Sequence, residues 1–270
     1  MIRLAGLIAI AWVLMALAAI ALPLAPNRIA LDAMFAPPLS ASANGLYLLG
    51  SDELGRSLWQ RLIDGAGISL LVAGVSVAIS ALLGTALGIA AGYLGGWTDR
   101  VISRLIEIFL AFPGLLLAIA MAGMLGPGID NVIIALSLMG WVGYARLARN
   151  QVLSLRQRDH VAAAVALGRT PFAVMRLHLL PLLLAPLLVE ASYGIAGAVV
   201  AEAGLSFLGL GVQPPQASWG SMIREGVRYL LVAPHLVLVP GLVLSLVVLS
   251  ANLLGDALRD RLDVTSRNRR

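Results

Sequence analysis

The sequence contains no cysteine and no lysine: all 19 of its basic residues are arginine. Without cysteine there is no disulfide, no thiolate metal cage and no cysteine nucleophile. Without lysine there is no Walker A loop, whose lysine must reach the β/γ-phosphates of a nucleotide, and no lysine Schiff base. Charge of either sign is scarce as well, at 12% of 270 residues. A soluble domain is about a quarter charged. What fills the chain instead is apolar: 60% of residues are hydrophobic and the mean hydropathy is +0.92. A single globular core could not hide that much apolar side chain from water. A net charge of +5 often marks a nucleic-acid binder, but in so apolar a chain it reflects arginine on membrane-flanking loops. No nucleic-acid partner is expected.

The chain is therefore expected to be an all-α, polytopic membrane protein. A bilayer crossing takes roughly 20 helical residues. Six stretches qualify or nearly so: Leu4–Leu24, Ile68–Leu94, Leu105–Gly126 with a kink at Pro113, Ile129–Ala145, Leu182–Glu202 and Val232–Leu254. The chain then divides into an N-terminal span (1–25), an external loop (26–67), a core of five spans (68–263) and a tail (264–270). With the N-terminus inside, only Arg28, Arg56, Arg61, Arg224 and Arg228 lie outside, and the other fourteen arginines lie inside. Both termini are thus expected in the cytoplasm. Arg3 followed by an apolar run also fits a signal peptide, but the length of that run favours an uncleaved span.

Within the spans, Gly84, Gly88 and Gly92 recur at four-residue intervals and form a flat stripe for close helix packing. Glu190 falls about two turns inside the fifth span, where an ionised carboxylate needs a partner or water. It reads as a pathway-lining residue that contacts a cargo ammonium, or as half of an ion pair with a neighbouring arginine. Glu202, nearer the outer end, reads as exposed at the interface. His160, His178 and His235 lack the spacing of a chelating motif, so no metal site is expected.

The longest cytoplasmic segment runs from Arg146 to about Leu180 and carries most of the information. Asp159 can cap a short alanine-rich helix that Gly168 terminates, and Thr170-Pro171 opens a second helix toward Leu180. Ala162, Ala163, Ala164 and Ala166 offer a small-residue surface to a partner. An amphipathic linker resting on anionic lipid is the competing reading.

Here the sequence becomes recognisable. Residues Asp159 through Gly168, continuing to His178 and Pro181, resemble the "EAA" loop of binding-protein-dependent ABC importer permeases. More specifically, the chain is similar to the second permease subunit of the dipeptide/oligopeptide/nickel branch. Further matching blocks are Gly50-Ser51-Asp52 with Leu54-Gly55-Arg56, then Ser206 through Gly211 with Pro214-Pro215 and Ser218-Trp219-Gly220. Asn252 through Asp256, with Leu258-Arg259-Asp260, completes the set. The chain departs from the pattern at Ala162, where the glutamate that names the loop is expected, at Ser57, usually aspartate, and at Gly67, usually arginine.

The resemblance implies a MetI-like fold with six transmembrane helices and a cytoplasmic two-helix coupling loop. It implies a homologous second permease, two ATP-binding subunits docked on that loop and an extracytoplasmic substrate-binding protein, all at a bacterial inner membrane. Coupling would rest on Asp159, Ala163, Ala164, Gly168, Thr170 and Pro171, with Glu190 on the pathway. The chain itself would be no enzyme and hold no cofactor, since ATP is used by partner subunits. The missing lysine fits that division. Peptides are the expected cargo, with nickel or another small chelate as the alternative. An intramembrane hydrolase lacks a motif around any serine, and an ion-coupled carrier gives the two-helix loop no role.

Overall fold

The computed structural model describes residues 2–42 and 45–262, so the expected tail at 264–270 lies outside them. Helix α1 (Ile2–Ala21) stops just before Pro23. It is held by its Trp12 Nε1, which donates to Ala66 O at 3.3 Å, and by Ser250 Oγ, which donates to Ala5 O at 2.6 Å. The connection that follows carries a single 3-10 turn at Leu31–Ala33 and a small antiparallel hairpin, β1 (Ser40–Ser42) with β2 (Gly45–Tyr47).

Helix α2 (Leu58–Leu94) begins well before Ile68. Gln60, Arg61 and Asp64 lower local hydropathy without breaking a helix, so the loop expected to be external ends near Ser57. Gly95 and Gly96, with φ of +67° and +56°, then reverse the chain. The third span is not one kinked helix. Helices α3 (Gly96–Leu110) and α4 (Gly114–Leu125) meet at 89°. Pro113 has no N–H to donate and pushes Phe112 out of the helical region, which separates the two helices.

Helix α5 (Ile129–Leu155) runs past Ala145 because its arginines are good helix formers. Arg149 closes a bidentate pair with Asp99 of α3 at 2.5 and 2.8 Å. After the short α6 (Asp159–Ala166) and α7 (Pro171–Val174), a π-helical turn at Met175–Leu179 leads directly into α8 (Leu180–Phe207). The π-turn has a local cause. The ring of Pro181 would collide with the carbonyl four residues back, and a wider turn relieves it. The second loop helix is therefore not separate from the fifth span but is its first turn, in one run over Pro171–Phe207. Helix α9 (Trp219–Val227) and α10 (His235–Leu262) complete the chain.

Among the described residues five helices are long and apolar enough to cross a membrane, and the α3–α4 pair, bent by 89°, makes six if it is counted as one broken span. The alternating directions place α6 and α7 at one end of the bundle, the arginine-rich end, and the β1–β2 hairpin and α9 at the other. The bundle is organised on α2 and α5. Gly84 lies against Trp141 O and the Tyr144 Cβ, Gly88 against Ala145 O, and a Cβ at Gly92 would come 2.9 Å from Arg149 O. The glycine stripe thus brings two backbones together, as small residues at membrane helix interfaces do.

The hairpin end is tied by polar groups. Asp52 accepts from the backbone N–H of Leu54 and Arg56 at 3.0 and 2.9 Å, and pairs with Arg56 Nε at 2.6 Å. Arg61, only 1% exposed, reaches Glu225 Oε2 at 3.0 Å, so the loop, α2 and α9 share one charge cluster. Trp219 is fully buried, with Nε1 donating to Leu62 O at 3.0 Å. Glu202, expected at the interface, is instead 1% exposed. It accepts from Ser69 Oγ at 3.1 Å and Ser206 Oγ at 2.7 Å. These hydroxyls compensate its removal from water.

Candidate functional site

Two places in the fold carry features that packing alone does not explain. The first is the α6–α7 unit. Arg158, not Asp159, is the N-cap of α6, and no side chain caps it. Asp159 sits exposed in the first turn, where its charge favours the positive end of the helix without a hydrogen bond. At the other end Gly168 has φ +77°, its N–H donates to Val165 O at 2.9 Å, and the Arg169 N–H donates to Ala164 O at 3.1 Å. That crossed pair is a Schellman ending, which needs a left-handed residue where Gly168 stands. Thr170 Oγ1 then accepts from Ala173 N at 3.3 Å and Pro171 takes the first helical position, so a new helix starts just beyond the Gly168 turn.

One face of this unit is anchored and the other is bare. Val161 and Ala164 pack with Val174, Leu179 and Leu183, and with Ala148, Val152 and Leu155 of α5. Ala164 is therefore not part of a partner-facing surface: the helical period turns it inward beside Val161, while Ala162, Ala163 and Ala166 stay exposed. Beside those alanines stand apolar side chains that a small-residue reading overlooks. Leu167 is 85% exposed, Phe172 68% and Val165 50%. Their position on a loop flanked by arginine, outside the apolar runs, was the available signal.

The second place is a cavity of about 670 Å³ among α2, α4, α5, α8 and α10. Its wall is mostly small: Gly114, Ala118, Gly140, Gly194, Gly197 and Ala201 all line it. Glu190 lines it too, held over Gly143 of α5, where an added Cβ would stand 2.7 Å from Glu190 Oε1. The arrangement is reciprocal, since Tyr144 of α5 lies over Gly194 of α8 and an added Cβ there would stand 2.7 Å from Tyr144 Oη. The two glycines let polar side chains cross the α5–α8 interface. Sequence reasoning finds Glu190 by its charge but has no signal for Tyr144.

A third cluster invites comparison with a metal centre. Carboxylate oxygens of Asp52, Glu53 and Glu225 lie within 4.8 Å of one another. Arg56 and Arg61 already supply the countercharge there, and burial pushes Glu225 above the usual carboxylate range despite those two neighbours. His160, His178 and His235 are spread over α6, the π-turn and the start of α10, with His235 Nε2 3.4 Å from Ser51 O.

A bundle of broken and glycine-packed spans, with an exposed two-helix unit joined to a cavity-lining helix, defines a membrane permease that works through partners. Comparison with known proteins gives the family. The chain belongs to the binding-protein-dependent transport system inner membrane components, whose family model matches residues 84–267. It is a multi-pass transport component rather than an enzyme. Over 247 residues it is 41% identical to a di/tripeptide transport system permease protein, DppC, of Pseudomonas aeruginosa, covering 91% of this chain and 82% of that one. Over 225 residues it is 39% identical to a glutathione transport system permease protein, GsiD, of Pectobacterium atrosepticum, covering 83% and 75%. Among solved structures it superimposes on an inward-facing methionine ABC transporter, MetNI. The TM-score is 0.61 at 21% identity, covering 76% of this chain and 97% of that one, a likeness of fold.

Proposed function

We propose that this chain pairs with a homologous permease to form the pathway of an ATP-driven importer for small peptides. An extracytoplasmic binding protein delivers the cargo at the hairpin end, and two ATP-binding subunits dock at the arginine-rich end. Both termini then face the cytoplasm. ATP is bound and hydrolysed by the partners, and no cofactor sits on this chain. Relatives that serve peptides and glutathione, itself a small peptide, support that cargo class.

The single observation that carries the reading is the α6–α7 unit. Leu167 and Phe172 stand bare at its tip, and its base is continuous with α8. Large apolar side chains left exposed on a short connecting unit suit a partner surface. Asp159 and Ala163 flank the patch, Gly168 makes its turn, and Thr170 with Pro171 starts the helix that carries the load inward. Ala164 contributes from beneath by seating α6 on α5. When ATP closes the partner subunits, a push on Phe172 moves the first turn of α8, and with it Glu190, Gly194 and Gly197. The partners thereby bias the bundle between inward- and outward-facing states.

Purification in mild detergent tests the assembly, with a second permease and ATP-binding subunits expected to copurify. Reconstituted in vesicles with the binding protein, the assembly should accumulate a radiolabelled dipeptide only with ATP. Uptake by this chain alone, without ATP, would overturn the reading. An N-terminal tag reached by antibody only after the vesicles are permeabilised, in right-side-out preparations, fixes the orientation.

A further inference from the structure

Helix α8, whose first turn belongs to the coupling unit, is joined differently to each of its neighbours. Toward α10 the join is close and polar. A Cβ on buried Gly255 would stand 3.2 Å from Ser192 Cβ and 3.2 Å from Tyr193 Cε1, so α10 offers bare backbone there. One residue on, Asp256 Oδ1 accepts from Tyr193 Oη at 2.5 Å, a short bond to a carboxylate. Ring and hydroxyl of one tyrosine thus meet two successive residues of α10. Both residues belong to the block Asn252 through Asp256, which the coupling unit leaves without a task.

Toward α2 the join changes along the helix. Near the hairpin end it is closed, where Ser69 Oγ donates to Glu202 Oε2 at 3.1 Å between two buried residues. About 12 Å further along both helices, Val77 faces Gly194, and both line the cavity. A Cβ added at Gly194 would meet only the ends of Tyr144 and Val77. Helix α1 divides the same way: near the arginine-rich end its Ala5 O accepts from Ser250 of α10, and nearer the hairpin end Trp12 donates to Ala66 of α2. A helix fixed to one neighbour at mid-span, and to another only at its far end, moves with the first and pivots on the second. We propose that Tyr193 and Asp256 are a positioning pair that makes α10 follow α8. The two swing as one body about Ser69 and Glu202, and the cavity widens against α2 and α5, which the glycine stripe holds as the other body. This deepens the importer reading and rests on it for the push.

The chain has no native cysteine, so two introduced thiols make a single defined link. Ser192→Cys with Gly255→Cys joins α8 to α10, at a Cβ separation of 3.2 Å that a small shift brings to that of a disulfide. Val77→Cys with Gly194→Cys joins α8 to α2, since Val77 Cγ2 stands 3.5 Å from the added Cβ. Each pair is oxidised in the reconstituted importer, and dipeptide uptake is compared with that of the same protein after reduction. The α8–α10 link is expected to leave uptake unchanged, and the α8–α2 link to lower it by about tenfold or more. Tyr193→Phe should lower uptake per ATP about fivefold at an unchanged unfolding temperature. Adding the oxidised α8–α10 link to Tyr193→Phe should restore coupling, which a role in stability alone would not allow. A block by the α8–α10 link, tolerance of the α8–α2 link, or normal coupling in Tyr193→Phe would each overturn the proposal. Where a cysteine pair fails to assemble, uptake per ATP in Tyr193→Phe and Asp256→Asn decides it. A purified assembly without ATP-binding subunits would fail the importer reading itself, and the proposal with it, before any link is made.

Discussion

Glycine serves opposite ends on α2 and on α8. On α2, Gly84, Gly88 and Gly92 are filled in by the backbone of α5, and a Cβ at the first two would collide with Trp141 O and Ala145 O. On α8, Gly197 and Gly204 face nothing within 4 Å, and Gly194 faces side-chain ends alone, those of Tyr144 and Val77. The same residue type closes one interface and opens a cavity beside another. Small side chains in a membrane helix thus mark close approach or a pathway, and the facing helix decides which. A third use appears at Gly168, where neither space nor contact matters but the left-handed backbone does.

The largest expected effect comes from breaking the closed side of this comparison. Gly88→Val would drive two methyl groups into the Ala145 carbonyl, which cannot yield without moving α5. A loss of about 3 kcal/mol, the upper range for overpacking, is expected. It should appear as a collapse of monodisperse protein in detergent and a lower unfolding temperature. A near-normal unfolding temperature would mean that the α2–α5 contact is looser than the structure has it.

Gly168→Val should leave the bundle intact and strike function. A β-branched residue at φ +77° costs about 1–2 kcal/mol, and the strain is confined to an exposed turn. The turn that joins α6 to α7 is lost, so uptake per ATP should fall about tenfold, within the usual range of coupling free energies. Parallel ATP-hydrolysis and uptake measurements check this. Equal losses in both would point to failed docking rather than failed transmission.

A smaller effect is expected at the α5–α8 crossing. Gly143→Ala puts a methyl where Glu190 Oε1 now lies, and a flexible carboxylate can swing away. Stability should change by less than about 1 kcal/mol, while dipeptide uptake falls about threefold as the carboxylate leaves its place. A stability loss as large as that of Gly88→Val would show α5–α8 to be a closed interface too, and the contrast would fail.

How much of this was legible beforehand follows the range of each signal. Span number, the Gly168 turn and the Thr170-Pro171 start are local patterns, and the sequence shows them. Span ends are not local to hydropathy: Arg61 and Arg149 end an apolar run but continue a helix because Glu225 and Asp99 wait for them from elsewhere. Asp159 has the right residue type for a cap, yet the helix begins one position earlier. Ala164 and Ala163 are indistinguishable by composition, and only the seat on α5 separates them. Glu202 reads as exposed because only Ser206 is its helical neighbour, while Ser69, which also bonds it, lies far away in sequence on α2. Tyr144 is an ordinary aromatic until Gly194 is set opposite it.

The smallest effect carries the most diagnostic sign. Ala in place of Gly in a helix removes conformational freedom from the unfolded chain and is favourable by about 0.5–1 kcal/mol where space allows. At Gly197 space allows it, since an added Cβ meets nothing. Gly197→Ala should therefore raise the unfolding temperature slightly, while one methyl in a cavity of about 670 Å³ leaves dipeptide uptake within twofold. The identical change at Gly88 should lower the unfolding temperature, because the added methyl meets the α5 backbone before the entropy gain can count. Opposite signs for one substitution on two helices would separate packing glycine from cavity glycine with helix propensity held constant. If Gly197→Ala instead destabilises, the space beside α8 is filled in the assembled protein, and the proposed partner permease reaches further into the cavity than the single chain implies.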